Sequence, residues 1–262
     1  MPNAQLPVLP HPHSYETVDG VVTDRVTGLM WQRNLTDKFF TFQDAQRNCD
    51  ELSLGGHDDW RLPSRIELVS ILDMTRIQPS IDVNTFPGTP NDWFWTSSLD
   101  VRNPSAAWYV YFYFGYPKTD DMTNRFSVRC VRTPEPMPAA LAVRYIVKAQ
   151  DVRDIATGLR WQRAVPSKTF AFDAAVSYCD HLTLAGKKGW RLPSLVELLT
   201  LIDERAPSPM IDSAAFPGTP GEPFWTSSRF ANGPALVWYA RFDSGAGLYG
   251  RPIEPFRVRC VL

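Results

Sequence analysis

The sequence predicts an α+β protein built as two tandem domains of one fold, and three observations carry that prediction. Nearly every motif occurs twice at a fixed offset of 130 residues, each copy runs from a hairpin through two helices to a terminal β-region, and each copy holds two cysteines at the same spacing. Thr27-Gly28-Leu29 with Trp31-Gln32-Arg33 returns as Thr157-Gly158-Leu159 with Trp161-Gln162-Arg163. Trp60-Arg61-Leu62-Pro63-Ser64 returns at 190–194, Phe86-Pro87-Gly88-Thr89-Pro90 at 216–220, and Phe94-Trp95-Thr96-Ser97-Ser98 at 224–228. A unit of this length suits a globular domain rather than a solenoid repeat. Matching positions are therefore expected to serve the shared fold, and differing exposed positions to carry what is particular to each copy.

The elements follow in order. Residues 1–18, with four prolines, read as an extended arm. Val21 to Asp24 and Leu29 to Gln32 are short β-type runs around a Thr-Gly turn, hence a hairpin. Thr41 is placed to cap a helix on which Phe42, Ala45, Cys49 and Leu52 share a face, as Phe172, Ala175, Cys179 and Leu182 do in the second copy. Ser64 with Glu67, and Ser194 with Glu197, form capping boxes that open a second helix ending near Asp73 and Asp203. The Pro-rich stretches that follow are ordered loops, and Trp-Thr-Ser-Ser, Trp-Tyr-x-x-Phe and Val-Arg-Cys-Val read as short strands. The expected organisation is an arm at 1–18, a first repeat at 19–132, a Pro-rich linker at 133–143 and a second repeat at 144–262.

Composition bounds the function. Hydrophobic residues make up 44% and charged residues 21% of the chain, so it is expected to fold, and no apolar run is long enough to span a membrane. A formal charge of -1 argues against nucleic acid as a partner, because phosphate binding leaves a basic footprint. The first residues carry neither a basic nor an apolar leader segment, which leaves a cytoplasmic protein or one whose leader is gone. The cysteines favour the second. They are 81 residues apart in each copy with no Cys-x-x-Cys, and of the three pairings that four cysteines allow, the duplication favours Cys49 with Cys130 and Cys179 with Cys260. Buried free thiols are the alternative. Bridges of this kind persist in oxidising compartments, so a secreted, periplasmic or cell-surface location is expected.

Together, Thr-Gly-Leu-x-Trp-Gln, a Cys-bearing helix, Trp-Arg-Leu-Pro-Ser-x-x-Glu-Leu, Phe-Trp-Thr-Ser-Ser and a closing Val-Arg-Cys-Val resemble the bacterial family of the C-terminal domain of the Legionella collagen-like adhesin. Both copies match along nearly their whole length. The Arg-Leu-Pro-Ser-x-x-Glu helix start and the ending are more distantly similar to formylglycine-generating enzymes and the C-type-lectin-like fold. That resemblance implies a bridge from the first helix to the last strand, in agreement with the pairing the duplication favours. It implies a non-catalytic, adhesin-like module that binds glycans, with sulfated or acidic polysaccharide as the ligand class. A structural protein-protein module of a surface fibre, pilus or phage tail is the alternative, and a formylglycine-type oxidase a remote one. No residues match the copper-binding cysteine pair of those oxidases, and no phosphate loop or hydrolase motif occurs. No catalytic residue and no cofactor is therefore expected.

Calcium is the one metal to weigh. Pro90-Asn91-Asp92-Trp93 faintly resembles a lectin motif, yet the second copy reads Pro220-Gly221-Glu222-Pro223, and Asp82, Asp120 and Asp121 serve equally well as turn caps. The terminal β-region is more informative. In residues 108–114 the even positions form one apolar face and Tyr109, Tyr111 and Tyr113 the other, which becomes Tyr239, Arg241 and Asp243 in the second copy. A face that changes chemistry between copies is expected to meet solvent or ligand. The binding candidates are accordingly Tyr109, Tyr111, Tyr113 and Tyr239, with Arg229, Arg241 and Arg251 as a basic surface to which Arg257 and Arg259 add. The expected partner is a glycan or a surface protein, with homo-oligomerisation open.

Overall fold

The computed structural model describes residues 13–36, 38–133, 143–233 and 235–262, and these divide into two compact units, 13–133 and 143–262. Most of the expected linker, residues 134–142, and residues 1–12 of the expected arm lie outside the described residues. The end of that arm belongs to the fold instead. Tyr15–Val18 (β1) pairs antiparallel with Val21–Asp24 (β2), because Tyr15 anchors it edge-on against Phe86 with ring centroids 5.3 Å apart. The hairpin partner Met30–Gln32 (β3) follows a turn in which Gly28 adopts φ 73°, a left-handed conformation that a β-carbon would strain.

Phe42–Asp50 (α1) is capped by Thr41, whose hydroxyl accepts from the Asp44 amide at 3.3 Å. Phe42, Ala45 and Cys49 are its buried face. Arg65–Ser70 (α2) has the capping box and is buried along its whole length. It stops short of Asp73 because the Asp73 amide donates across to the Ser80 carbonyl (3.0 Å) rather than back along the helix. Then come Trp93–Leu99 (β4), Ala106–Tyr111 (β5) and Tyr116–Asp121 (β6), one antiparallel sheet, while Val131–Arg132 (β7) closes the first sheet beside β3. The second unit repeats this with Tyr145–Val147 (β8), Asp151–Asp154 (β9), Arg160–Gln162 (β10), Phe172–Asp180 (α3), Leu195–Leu199 (α4), Pro223–Arg229 (β11), Val237–Arg241 (β12) and Gly247–Gly250 (β13). Each unit is α+β with small antiparallel sheets. Each carries one disulfide, Cys49–Cys130 and Cys179–Cys260, with Cα atoms 5.4 and 5.5 Å apart.

The repeated motifs are the joints of this fold. Glu67 is almost fully buried and takes both terminal nitrogens of Arg61 (2.9 and 2.6 Å) together with the Ser64 amide (2.7 Å), so Trp-Arg-Leu-Pro-Ser-x-x-Glu closes on itself. Arg191 and Glu197 repeat the fork. The second serine of Phe-Trp-Thr-Ser-Ser ties sheet to helix, since Ser98 accepts from the Arg65 amide and Ser228 from the Leu195 amide, both at 3.0 Å. Glu67→Gln would leave the fork one-sided and is expected to destabilise the first domain by about 2 kcal/mol, read as a lower urea midpoint at unchanged slope.

The closing strand buries a cation. Arg129 is fully enclosed, and its Nη1 donates to the Gln32 and Arg33 carbonyls (2.5 and 2.9 Å) and its Nη2 to the Thr89 hydroxyl (2.7 Å). Its guanidinium lies 4.8 Å over the Phe86 ring, and the Thr89 hydroxyl donates on to the Phe86 carbonyl at 2.8 Å. The Phe-Pro-Gly-Thr-Pro loop is thus a receptor for the arginine of Val-Arg-Cys-Val. Arg259 has the same arrangement with Gln162, Arg163, Thr219 and Phe216. Burial pushes both guanidinium groups down to about 9, which still leaves them cationic at neutral pH.

Candidate functional site

The strand expected to show one face to water is covered on both at its start. Trp108, Val110 and Phe112 are fully buried on the α2 side, and Tyr109 is only 5% exposed, packed at 5.2 Å against Phe126 in the cluster that includes Trp95, Phe42 and the Cys49–Cys130 bridge. Burial raises the Tyr109 phenol above its ordinary pKa, with lesser contributions from Tyr116, Asp120 and Tyr111. Tyr109 is therefore a core residue and not part of a solvent-facing row. A continuous apolar run marks a strand covered on both faces, and 108–114 is such a run; a reading by alternation overlooks that signal. Tyr239 is likewise half-buried among Trp225 and Phe256.

Beyond Tyr109 the face does open. Tyr111 ends β5 and lies in register opposite Trp93 at the start of β4, with the two rings stacked at 5.2 Å and 20°. Tyr113, in the turn after the strand, stacks on Tyr111 at 5.7 Å and 22°, and its hydroxyl accepts from the Gln78 side chain. Phe114 meets Tyr113 edge-on at 4.4 Å, and Trp93 leans on Phe126 at 5.5 Å. Trp93 is 39% exposed, so the row Trp93, Tyr111, Tyr113 presents large amphipathic side chains held by one another. Burial, followed by Tyr113 and Asp92, raises the Tyr111 phenol, which stays protonated at physiological pH.

The second copy holds none of this. Pro223 stands where Trp93 does, opposite Arg241 in place of Tyr111, and Asp243 in place of Tyr113 pairs with Arg241 through Nε at 2.9 Å and through Nη2. Their hydrogen bond holds the Arg241 pKa up and the Asp243 carboxyl down. Sequence reasoning misses Trp93, although its exchange for proline between copies is the same kind of signal that singles out Tyr111.

The expected basic surface is largely consumed internally. Arg259 is interior, so the expectation that it adds to the basic surface is corrected: the side chain is drawn inward by the carbonyls and hydroxyl that receive it. Arg257 bonds Glu222 at 2.6 Å and the Ser167 carbonyl at 2.6 Å. Arg229 is exposed and lies 5.2 Å over the Phe172 ring. Arg251 is exposed, and its backbone amide donates to Glu254. The carboxylates weighed for calcium cap local turns: Asp82 accepts from Thr85 at 2.6 Å, Asp120 from Asn124 at 3.0 Å and Asp121 from Thr123 at 2.6 Å. Among the described residues no three acidic, histidine or cysteine side chains gather as a metal site.

The chain is a duplicated, singly bridged α+β module, alike in its core and unlike on one exposed aromatic face. Residues 20–132 and 150–262 each match the model of the Lcl C-terminal domain, and the chain belongs to that family. A search of curated proteins finds no match to the chain. The family and the two disulfides fit an extracellular or surface location, and among the described residues no helix is long and apolar enough to cross a membrane.

Proposed function

We propose that this chain is a non-catalytic recognition module that binds carbohydrate through the aromatic row of its first domain. The observation that carries the reading is the stacked, partly exposed row Trp93, Tyr111, Tyr113, which the second copy replaces with a proline and an internal ion pair. Rings fixed by mutual stacking lose little entropy on binding, and phenol hydroxyls beside apolar ring surface match the mixed polar and C–H faces of a sugar. Membership in an adhesin-type family supports the same class of ligand. The C-type-lectin-like reading of the fold belongs to this proposal, supported by the bridge from first helix to closing strand in both copies.

Because Arg241 is neutralised by Asp243 and Arg259 is interior, affinity is expected to rest on apolar contact more than on charge, so salt should weaken binding little. A glycan array at low and high ionic strength tests this on the oxidised chain. Tyr111→Arg with Tyr113→Asp installs the pair that the second copy already accommodates in the same register, and it is expected to reduce binding about tenfold or more. Arg251→Ala is expected to leave it unchanged. Binding that is lost in Arg251→Ala and at high salt would instead move the site to the second domain and the ligand to a sulfated or acidic polysaccharide. Silence across the array from folded protein would overturn the carbohydrate reading in favour of a protein-protein module of a surface fibre, pilus or phage tail.

A further inference from the structure

The two copies differ at a second place, beside the tyrosine that anchors the edge strand of each hairpin sheet. In the first domain the exposed side chain of His13 lies against it. Its imidazole stacks on Tyr15 (5.2 Å, 15°), its Nε2 donates to the Leu72 carbonyl at 3.2 Å, and its Nδ1 accepts from the Tyr15 hydroxyl at 2.8 Å. A carbonyl only accepts, so a proton sits on Nε2, and Nδ1 is left to the Tyr15 hydroxyl.

The second domain keeps the tyrosine and lacks the imidazole. Val143 stands at the position of His13, and a cavity of about 290 Å³ opens there, lined by Val143, Tyr145, Leu201, Asp203, Asp212 and Ala215 among others. The Tyr145 hydroxyl, whose counterpart in the first copy bonds the imidazole, meets no side-chain or backbone partner among the described residues and stays open to solvent. Burial raises its pKa, and Asp154, Asp212 and Asp203 add to the effect while Arg144, stacked 4.8 Å over the ring and bonded to Asp154, opposes it. Asp212 has lost company as well. Its counterpart Asp82 accepts from the Thr85 hydroxyl at 2.6 Å and faces Arg76 at 3.9 Å, whereas Ala215 and Ala206 occupy those positions in the second copy, and among the described residues Asp212 accepts the amides of Ala214 and Ala215 alone, both through Oδ1. A phenol and a carboxylate oxygen therefore line a cavity whose walls are apolar at Val143, Leu201 and Ala215 and charged at Arg144, Asp203 and Arg205, and both are open to a ligand that can bond them.

We propose that this cavity is a binding site for an imidazole-type ring, a small planar heterocycle with one acceptor nitrogen for the Tyr145 hydroxyl and one N–H for the free oxygen of Asp212. The first domain supplies the precedent within the same chain, since there the fold satisfies its tyrosine with the ring of His13. The ring comes either from a free small molecule or from a histidine side chain presented by a peptide. The site lies apart from the aromatic row and stands or falls independently of it.

Titration of the full oxidised chain with imidazole, followed by amide NMR shifts, tests the proposal. Saturable shifts are expected at Leu201, Ala214 and Ala215. Val143→His supplies the imidazole of the first domain and should abolish them, while Tyr145→Phe, which keeps the ring and its packing, should weaken binding about fivefold. A short peptide with a central histidine, compared with its alanine version, separates the sources: tighter binding than imidazole marks a peptide side chain, and binding no better marks a free heterocycle. Absence of saturable shifts with both probes, or shifts unchanged in both variants, would overturn it.

Discussion

Replacing Arg129 with leucine is expected to destabilise the first domain by about 4 kcal/mol, although no carboxylate is lost with it. Exchanging a buried charge for an apolar side chain is neutral or favourable when its partners leave too. Here they stay. The Gln32 and Arg33 carbonyls and the Thr89 hydroxyl all point at the guanidinium, and the Phe86 ring lies against it. Leucine strands these oxygens in a dry interior and leaves a void as well. Lysine keeps the charge but cannot span two carbonyls and a hydroxyl from one fork, so Arg129→Lys should recover no more than about half of the loss. Urea unfolding of the full chain, followed by tryptophan fluorescence, measures both. A leucine variant within about 1 kcal/mol of the parent would mean that these hydrogen bonds do not hold the loop to the closing strand. Arg259→Leu is the same experiment in the second domain.

Removing the first bridge by Cys49→Ala with Cys130→Ala is expected to cost a similar amount. The closed loop spans 81 residues, for which the loss of loop-closure entropy in the unfolded chain is worth about 4 kcal/mol. For a domain of this size that lowers its melting temperature by on the order of 20 °C. Both half-cystines are fully buried between α1 and the closing strand, so the alanines add a small cavity cost to the entropic one. The second domain has its own core and its own bridge, and its transition should stay in place when the first is weakened. Calorimetry of the oxidised double variant separates the two. A shift of only a few degrees would mean that the unfolded chain is already compact enough that the bridge constrains little.

Much of this architecture is legible in the residues alone. The Thr-Gly hairpin, the α1 face of Phe42, Ala45 and Cys49, both capping boxes and both disulfides follow from the sequence, since each rests on local spacing or on the agreement of two copies in one register. The duplication acts as an internal comparison: what recurs is core and joint, and what differs is surface. It also locates Tyr111 and Tyr113 as places where the copies part. Arg129 and Arg259 show the limit of that comparison. Their recurrence marks them as fold residues, but charge alone sends Arg259 to the surface, because nothing near it in sequence announces the Thr219 hydroxyl and the Gln162 and Arg163 carbonyls that receive it.

The sequence by itself determined the fold class, the repeat, the order of the hairpin, the two helices and the terminal β-region, and the favoured pairing of cysteines, all of them properties of periodicity, capping and spacing along the chain, while it reads the edge strand β1 as part of the arm. Only the tertiary structure decided that Tyr109 is core, that Trp93 completes the exposed row, that Arg241 spends its charge on Asp243, and that a cavity opens beside Val143 where His13 lies against Tyr15 in the first domain. The reason is physical. Whether a side chain meets water depends on which remote segment packs over it: Phe126 covers Tyr109 from a loop well beyond β5, whereas Tyr111 at the end of β5 meets the partly exposed ring of Trp93.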